Sequence, residues 1–402
     1  MNHARISARV RRIKPSPSSA AADRATALKR EGKNIVSLAV GEPDFDTPAH
    51  IRAAASRAMD NGETRYTMLP GSVELRQAIA AKLKRENDLV YAPNDIIVTN
   101  GCKSGIYSAL EATLEAGDEV IVPAPFWVSY PDMVIACDGV PKVIACPENQ
   151  GFKMSPAQLE AAITDKTRWL IINSPSNPTG ASYTAAEYRK LADVLARHPQ
   201  VLVMTDDIYE HIRFDGRTTP HLLNAAPELK DRVLAINGVS KTYAMTGWRI
   251  GWIAGPSDLI GALNTLLSQA AGNACSISQA AAVEALNGDQ SFVSESVAIY
   301  RARRDRMLTR INQIQGLSCL PPDGAFYLYV NCAGLIGRKT PAGATLETDS
   351  DVAMYLLESV GVAVVQGSAY GLSPFFRMSI AASLDVLDDG TDRIARAVSE
   401  LR

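Results

Sequence analysis

The feature that most constrains this chain is a rhythm. Short apolar runs, each closed by turn-forming residues, alternate with segments of helix length. Residues 96–99, 119–122, 143–145, 169–172, 201–205 and 233–236 are such runs, and 104–114, 155–164 and 185–197 are helix-like segments among them. A strand buried on both faces has no polar side to alternate. Continuous apolar runs separated by helices therefore predict an α/β fold with a largely parallel sheet. Upstream, 35–40 reads as a strand ending at Gly41. Residues 48–60 read as a helix opened by Pro48 and closed by Asn61-Gly62, and 75–86 as another. After residue 291 the texture changes. A charged helix over 294–314 precedes strands at 324–330, 362–365 and 376–379, which reads as a separate α+β lobe. Residues 331–351, with several Gly, Pro and Thr, read as a long surface loop or flap.

At 402 residues the chain has room for two or three domains, or one large domain with a satellite. The 41 Lys+Arg against 43 Asp+Glu leave a net charge of −2, without the basic excess of a nucleic-acid binder. The six cysteines form no C-x-x-C pair and the five histidines show no ligand spacing. Neither a metal site nor a disulfide framework is expected, and the pattern suits a reducing, cytoplasmic compartment. No apolar run approaches the roughly 18–20 residues of a membrane span. The basic, faintly amphipathic residues 1–14 leave a transit peptide open, but they lack an apolar signal core and read as an ordinary first helix.

Five segments carry candidate chemistry, each with a plainer reading beside it. Lys241 lies just beyond the run 233–236, and Arg249 follows eight residues later in a Gly/Trp turn. A lysine in a desolvated pocket has a lowered pKa and forms Schiff bases, and an arginine forks a phosphate; the plainer reading is two solvated cations. Residues 173–180, packed with turn formers, are a simple connection or a rigid turn presenting Asn177 at the ligand-binding edge of the sheet. Asp206, with Tyr209 three residues on, caps a helix or faces a ligand cation. Gly101, Cys102 and Lys103 join a strand to a helix, where free N–H groups form an anion site in some proteins and bind nothing in many. Arg377 lies inside an apolar strand pattern. It is half of a buried salt bridge or a clamp on a substrate carboxylate.

Together these segments resemble the class I and II aminotransferases, pyridoxal-phosphate (PLP) enzymes of fold type I. The motifs occur in family order: Gly41-Glu42-Pro43-Asp44-Phe45, Tyr66, Pro125-Phe126-Trp127, 173–180, 206–209, 240–251, Gly324-Ala325-Phe326-Tyr327 and Phe376-Arg377-Met378-Ser379. The nearest resemblance is to bacterial aspartate aminotransferases of the shorter subgroup. It implies a mostly parallel seven-stranded central sheet in a large PLP-binding domain, 47–291, and a small domain from 1–46 and 292–402. It implies that Lys241 is the Schiff-base lysine and proton shuttle, and that Asp206 pairs with the pyridinium nitrogen. Tyr209 and Asn177 match the pair on the cofactor's phenolate oxygen, and Trp127 the stacked aromatic. Arg249, Ser240, Gly101 and Cys102, with Lys103 beside them, match the phosphate cup. Tyr66 matches a tyrosine reaching the phosphate across a homodimer interface. Arg377, helped by Asn177 and Gly41, matches the clamp on the α-carboxylate. Lys103 matches a contact to a distal carboxylate, and Ser18 of the partner subunit stands where Thr is usual. The implied reaction moves an α-amino group from an L-amino acid, aspartate first, to 2-oxoglutarate by ping-pong kinetics.

The chain departs from the pattern at Phe126, Cys102, Ile380 and Met68-Leu69-Pro70. These substitutions predict a more apolar substrate pocket. They keep open an aminotransferase for aromatic or neutral acids or prephenate, and a β-lyase or decarboxylase on the same fold. A PLP-binding regulator is the reading from another class. Such regulators carry a DNA-binding domain ahead of the motifs, and about 40 residues without a winged-helix pattern precede Gly41 here.

Overall fold

The computed structural model describes residues 5–402, the side chains of residues 18, 19 and 22 excepted. The Ser18 expectation lies outside what is described. Twelve strands run through the described chain: β1 Val36–Ser37, β2 Ile96–Thr99, β3 Glu119–Ala124, β4 Val140–Ala145, β5 Thr167–Asn173, β6 Leu202–Asp206, β7 Val233–Gly238, β8 Gly251–Ala254, β9 Tyr327–Asn331, β10 Val362–Ala363, β11 Val365–Gln366 and β12 Phe375–Ser379. Seven of them form the central sheet in the order β2-β8-β7-β6-β5-β3-β4.

The sheet is parallel except at β8, which runs antiparallel to both β2 and β7. Alternate residues feed a core on each face. On β5, Leu170 and Ile172 enter one cluster while Trp169 and Ile171 enter the other. Burial on both faces is why these strands read as unbroken apolar runs. The sequence reading missed β8. It starts at Gly251, the last residue of the 240–251 motif, with no turn signal between loop and strand.

The second lobe carries the antiparallel sheet β11-β12-β9 and the parallel pair β1-β10. Its core joins Leu328, Val330, Phe376 and Met378 to the helices Ser291–Asn312, Asp349–Val360 and Leu384–Ser399. Residues 336–348 form a largely exposed loop, as one of the two readings of 331–351 had it, but the segment is not a free flap. Leu335 and Leu346 are buried, and Lys339 exchanges backbone hydrogen bonds of 2.8 and 2.9 Å with Arg402. The segment is pinned to the C-terminus, and none of its residues lines the cleft described below. The helix expected over 1–14 is five residues long among those described, Ala8–Arg12, with no buried side chain. Arg9 and Arg12 hold it to Asp138. No helix of the described residues is long and apolar enough to cross a membrane.

Candidate active site

A cavity of 350 Å³ opens at the C-terminal ends of β5, β6 and β7. Ligands bind there in open α/β sheets, because loops diverge from those strand ends and leave a crevice. Of the residues singled out from sequence, Gly41, Cys102, Lys103, Trp127, Asn177, Asp206, Tyr209, Ser240, Lys241, Arg249 and Arg377 line it. Tyr66 does not. It is 95% exposed, on a separate groove with Gly62 and Ser276. Gly101 lies under the cavity floor beside Arg249.

Asp206 ends β6 and is buried. Tyr130 donates to its Oδ2 at 2.6 Å, whereas Oδ1 is buried without a partner. Burial pushes this carboxyl up to about 6, against the lowering effect of the Tyr130 hydrogen bond. The Ile208 backbone N–H also lowers this carboxyl, yet Oδ1 is left without a hydrogen-bond partner of normal geometry. Lys241 follows β7, and its Nζ donates to Gly41 O at 2.6 Å. Burial brings the amine down to about 8, within reach of the neutral, nucleophilic form.

Arg377 is 2% exposed on β12. It donates to Asn177 Oδ1 at 3.0 Å and to Ala39 O at 2.5 Å, and its Nε has no partner. No described carboxylate lies within ion-pair distance of it. The salt-bridge reading is therefore wrong: this is a buried cation that the fold leaves uncompensated, an arrangement that calls for an incoming anion. Asn177 is placed by Asn173, whose Oδ1 accepts the Asn177 amide at 2.8 Å while its Nδ2 donates to Asp206 O at 2.7 Å.

At the other end Gly101 precedes the helix Cys102–Glu111 with φ +81°. A Cβ there would meet Arg249 Nη2 at 2.4 Å, so only glycine lets the guanidinium close over the helix N-terminus. Arg249, Ser240 and that helix end make a cradle for an anion. The Lys103 ammonium stands 5.2 Å from the Trp127 ring centroid, and burial lowers its pKa.

Two of the departures do not face the cavity. Phe126 packs against Gly371 and lines a different, small crevice, and Ile380 is fully buried in the small-lobe core. Of the substitutions, Cys102 alone lines the site. Phe126 and Ile380 therefore do not make this cavity more apolar, and Met68-Leu69-Pro70 lie outside it. Sequence reading also missed Tyr130, and it gave no role to Tyr327 and Asn173, which stand in motifs it singled out. The signal for Tyr130 was its place three residues after Trp127, with which it makes an edge contact at 5.3 Å. Glu86, Glu210 and His211 come together away from the cavity, with the buried Lys82 ammonium among them.

The comparisons with known proteins bear on this geometry directly. The family model for aminotransferase class I and II matches residues 33–394. The chain belongs to the class I and II aminotransferases. An aspartate aminotransferase of Rhizobium meliloti is 51% identical over 378 residues, 94% of this chain and 92% of that protein. An aspartate/prephenate aminotransferase of Cereibacter sphaeroides is 51% identical over 385 residues, 95% of this chain and 96% of its own. The crystal structure of the Rhizobium meliloti aspartate aminotransferase superposes with a TM-score of 0.97 at 49% identity, covering 99% of this chain and 100% of that one. The Thermus thermophilus aspartate aminotransferase with maleate gives 0.91 at 37% identity, covering 98% and 99%. This aminotransferase therefore has the fold-type-I architecture that its motifs implied.

Proposed function

We propose that this aminotransferase uses pyridoxal phosphate to move the α-amino group of aspartate to 2-oxoglutarate, with prephenate as a further acceptor. The single observation that carries the reading is the cavity with an uncompensated Arg377 at one wall and the unpaired Asp206 Oδ1 at its floor. The relatives' names support aspartate and prephenate, and these relatives are transaminases rather than lyases or regulators.

The residues fit the cofactor. Asp206 Oδ1 is a buried acceptor awaiting a protonated ring nitrogen, and the Gly101–Arg249 cradle suits a phosphate. Trp127 offers a ring face, and Tyr209 with Asn177 offers polar atoms to a phenolate oxygen. When bound, pyridoxal phosphate supplies a carbonyl for amine exchange and a ring that withdraws electrons. The chain's own residues do the rest. Arg377 and Asn177 bind the α-carboxylate and fix the orientation of the Cα–H bond. Lys103 attracts the distal carboxylate of a dicarboxylic substrate. Lys241 Nζ, brought down to about 8 by burial and so about half neutral at that pH, takes the Cα proton and returns it on the other side of the exchange. Asp206 keeps a proton at the ring nitrogen.

Three further parts belong to the proposal. Residues 47–291 act as the large domain, with 1–46 and 292–402 as the small one. A homodimer brings Tyr66 to the partner's cavity, supported by its exposure outside its own. The protein works in the cytoplasm, supported by six unpaired cysteines. The test is steady-state kinetics with aspartate against 2-oxoglutarate and against prephenate. Parallel double-reciprocal lines are expected for both acceptors. Turnover that releases ammonia or CO₂ instead of the second amino acid would refute transfer.

A further inference from the structure

The motif Gly324-Ala325-Phe326-Tyr327 leads directly into β9. Tyr327 opens β9 and is fully buried in the protein, yet its side chain reaches the cavity wall. It touches three separate parts of the site. Its hydroxyl is 2.9 Å from the Tyr209 hydroxyl. Its ring lies 4.4 Å from the Arg377 guanidinium. A Cβ on Gly41 would come within 2.7 Å of its hydroxyl, so glycine at 41 is what admits the tyrosine. The β9–β12 register explains the second contact. Tyr327 pairs with Ser379, which places Arg377 on the diagonal of the same sheet face.

We infer that Tyr327 is a positioning residue that links the carboxylate clamp to the cofactor's phenolate site, its hydroxyl donating to Tyr209 and its ring bracing Arg377. The inference rests on the aminotransferase reading above. Between two hydroxyls only one donates. If Tyr209 turns its proton toward the cofactor, Tyr327 must supply the proton between them. A donor behind a donor polarises it, so Tyr209 becomes the stronger partner for the phenolate oxygen. The guanidinium, meanwhile, gains a π face where it has no counter-charge. The charged and titratable groups facing the pair are Asp206 on β6, Arg377 on β12, Tyr300 on the long helix, Tyr370, and Lys241 across the cavity.

The test uses PLP-loaded protein and follows the pH midpoint of the cofactor's visible absorbance. Tyr327→Phe keeps the ring and loses the hydroxyl. The midpoint is expected to rise by about half a unit, because a weaker Tyr209 donor stabilises the phenolate less. In a Tyr209→Phe background the same change should add nothing, since the relay has no receiver. Tyr327→Phe should hold the KM for aspartate near the wild-type value, whereas Tyr327→Leu should raise it about tenfold through the lost π face. Tyr327→Phe titrating like wild type, or shifting equally in both backgrounds, overturns the inference alone. A wild type with no visible cofactor band overturns the aminotransferase reading and the inference with it.

Discussion

Replacing Arg377 with methionine separates the stability of the fold from the affinity of the site. In the cofactor-free protein the change removes the hydrogen bonds to Asn177 Oδ1 and Ala39 O. Each contributes about 1 kcal/mol net. Against that loss, the change removes a buried cation that has an unpaired Nε and no carboxylate partner. Removing an uncompensated buried charge recovers a desolvation penalty of the order of a few kcal/mol. The two effects nearly offset, so the free energy of unfolding should stay within about 2 kcal/mol of wild type. Substrate loses far more. Two charge-assisted hydrogen bonds to an α-carboxylate are worth about 1.5–3 kcal/mol each, and about 1.4 kcal/mol is tenfold, so kcat/KM for aspartate should fall about 10²- to 10⁴-fold. Urea unfolding and stopped-flow half-reaction rates, measured on the same preparation, check both numbers. A catalytic loss under tenfold would refute the clamp. A collapse in stability would refute the claim that the fold leaves this cation uncompensated.

Two other perturbations follow from the same physics. Asp206 has a carboxyl raised to about 6 by burial, so the folded protein holds an extra proton that the unfolded chain releases nearer 4. That contribution to stability is lost as pH rises through about 6, so cofactor-free Asp206→Asn should gain on wild type by about 1 kcal/mol more at pH 7.5 than at pH 5. Parallel urea curves at the two pH values would show that Asp206 is not desolvated as described. Lys82, 1% exposed, compensates Glu210, whose carboxyl is held down to about 2 in a nest completed by Asn87 and Asn237. Lys82→Met should cost about 3–5 kcal/mol by stranding that carboxylate, and adding Glu210→Gln should recover much of it. A double variant as unstable as the single one would contradict the pairing.

The parallel core of the sheet was legible because burial on both faces writes itself as apolar runs, and the catalytic candidates because they stand where those runs stop. Asp206 ends β6, Asn177 follows β5 and Lys241 follows β7. What a run cannot express is direction in space. Phe126 sits beside Trp127 in sequence yet faces another crevice, and Ile380 sits beside Ser379 yet points into the small-lobe core. Neighbours along a chain share a position and not a side. The same limit hid the contacts of Tyr130 and Tyr327, whose partners are 76 and 118 residues away. β8 was lost for a different reason. Its four residues continue a functional loop without punctuation, and its antiparallel course depends on β2 and β7. The 331–351 segment has the composition of a loop, but Leu335 and Leu346 anchor it to the small-lobe core.

The central claim is that Lys241, Asp206 and Arg377 form one site for amino transfer from a dicarboxylic amino acid. The most direct measurement is a single half-reaction: PLP-loaded protein mixed with aspartate alone, following the cofactor absorbance and the oxaloacetate released. The account predicts conversion of the cofactor to its amine form with one oxaloacetate per site, and no conversion in Lys241→Ala. Full conversion in Lys241→Ala, or none in wild type carrying bound cofactor, would contradict it.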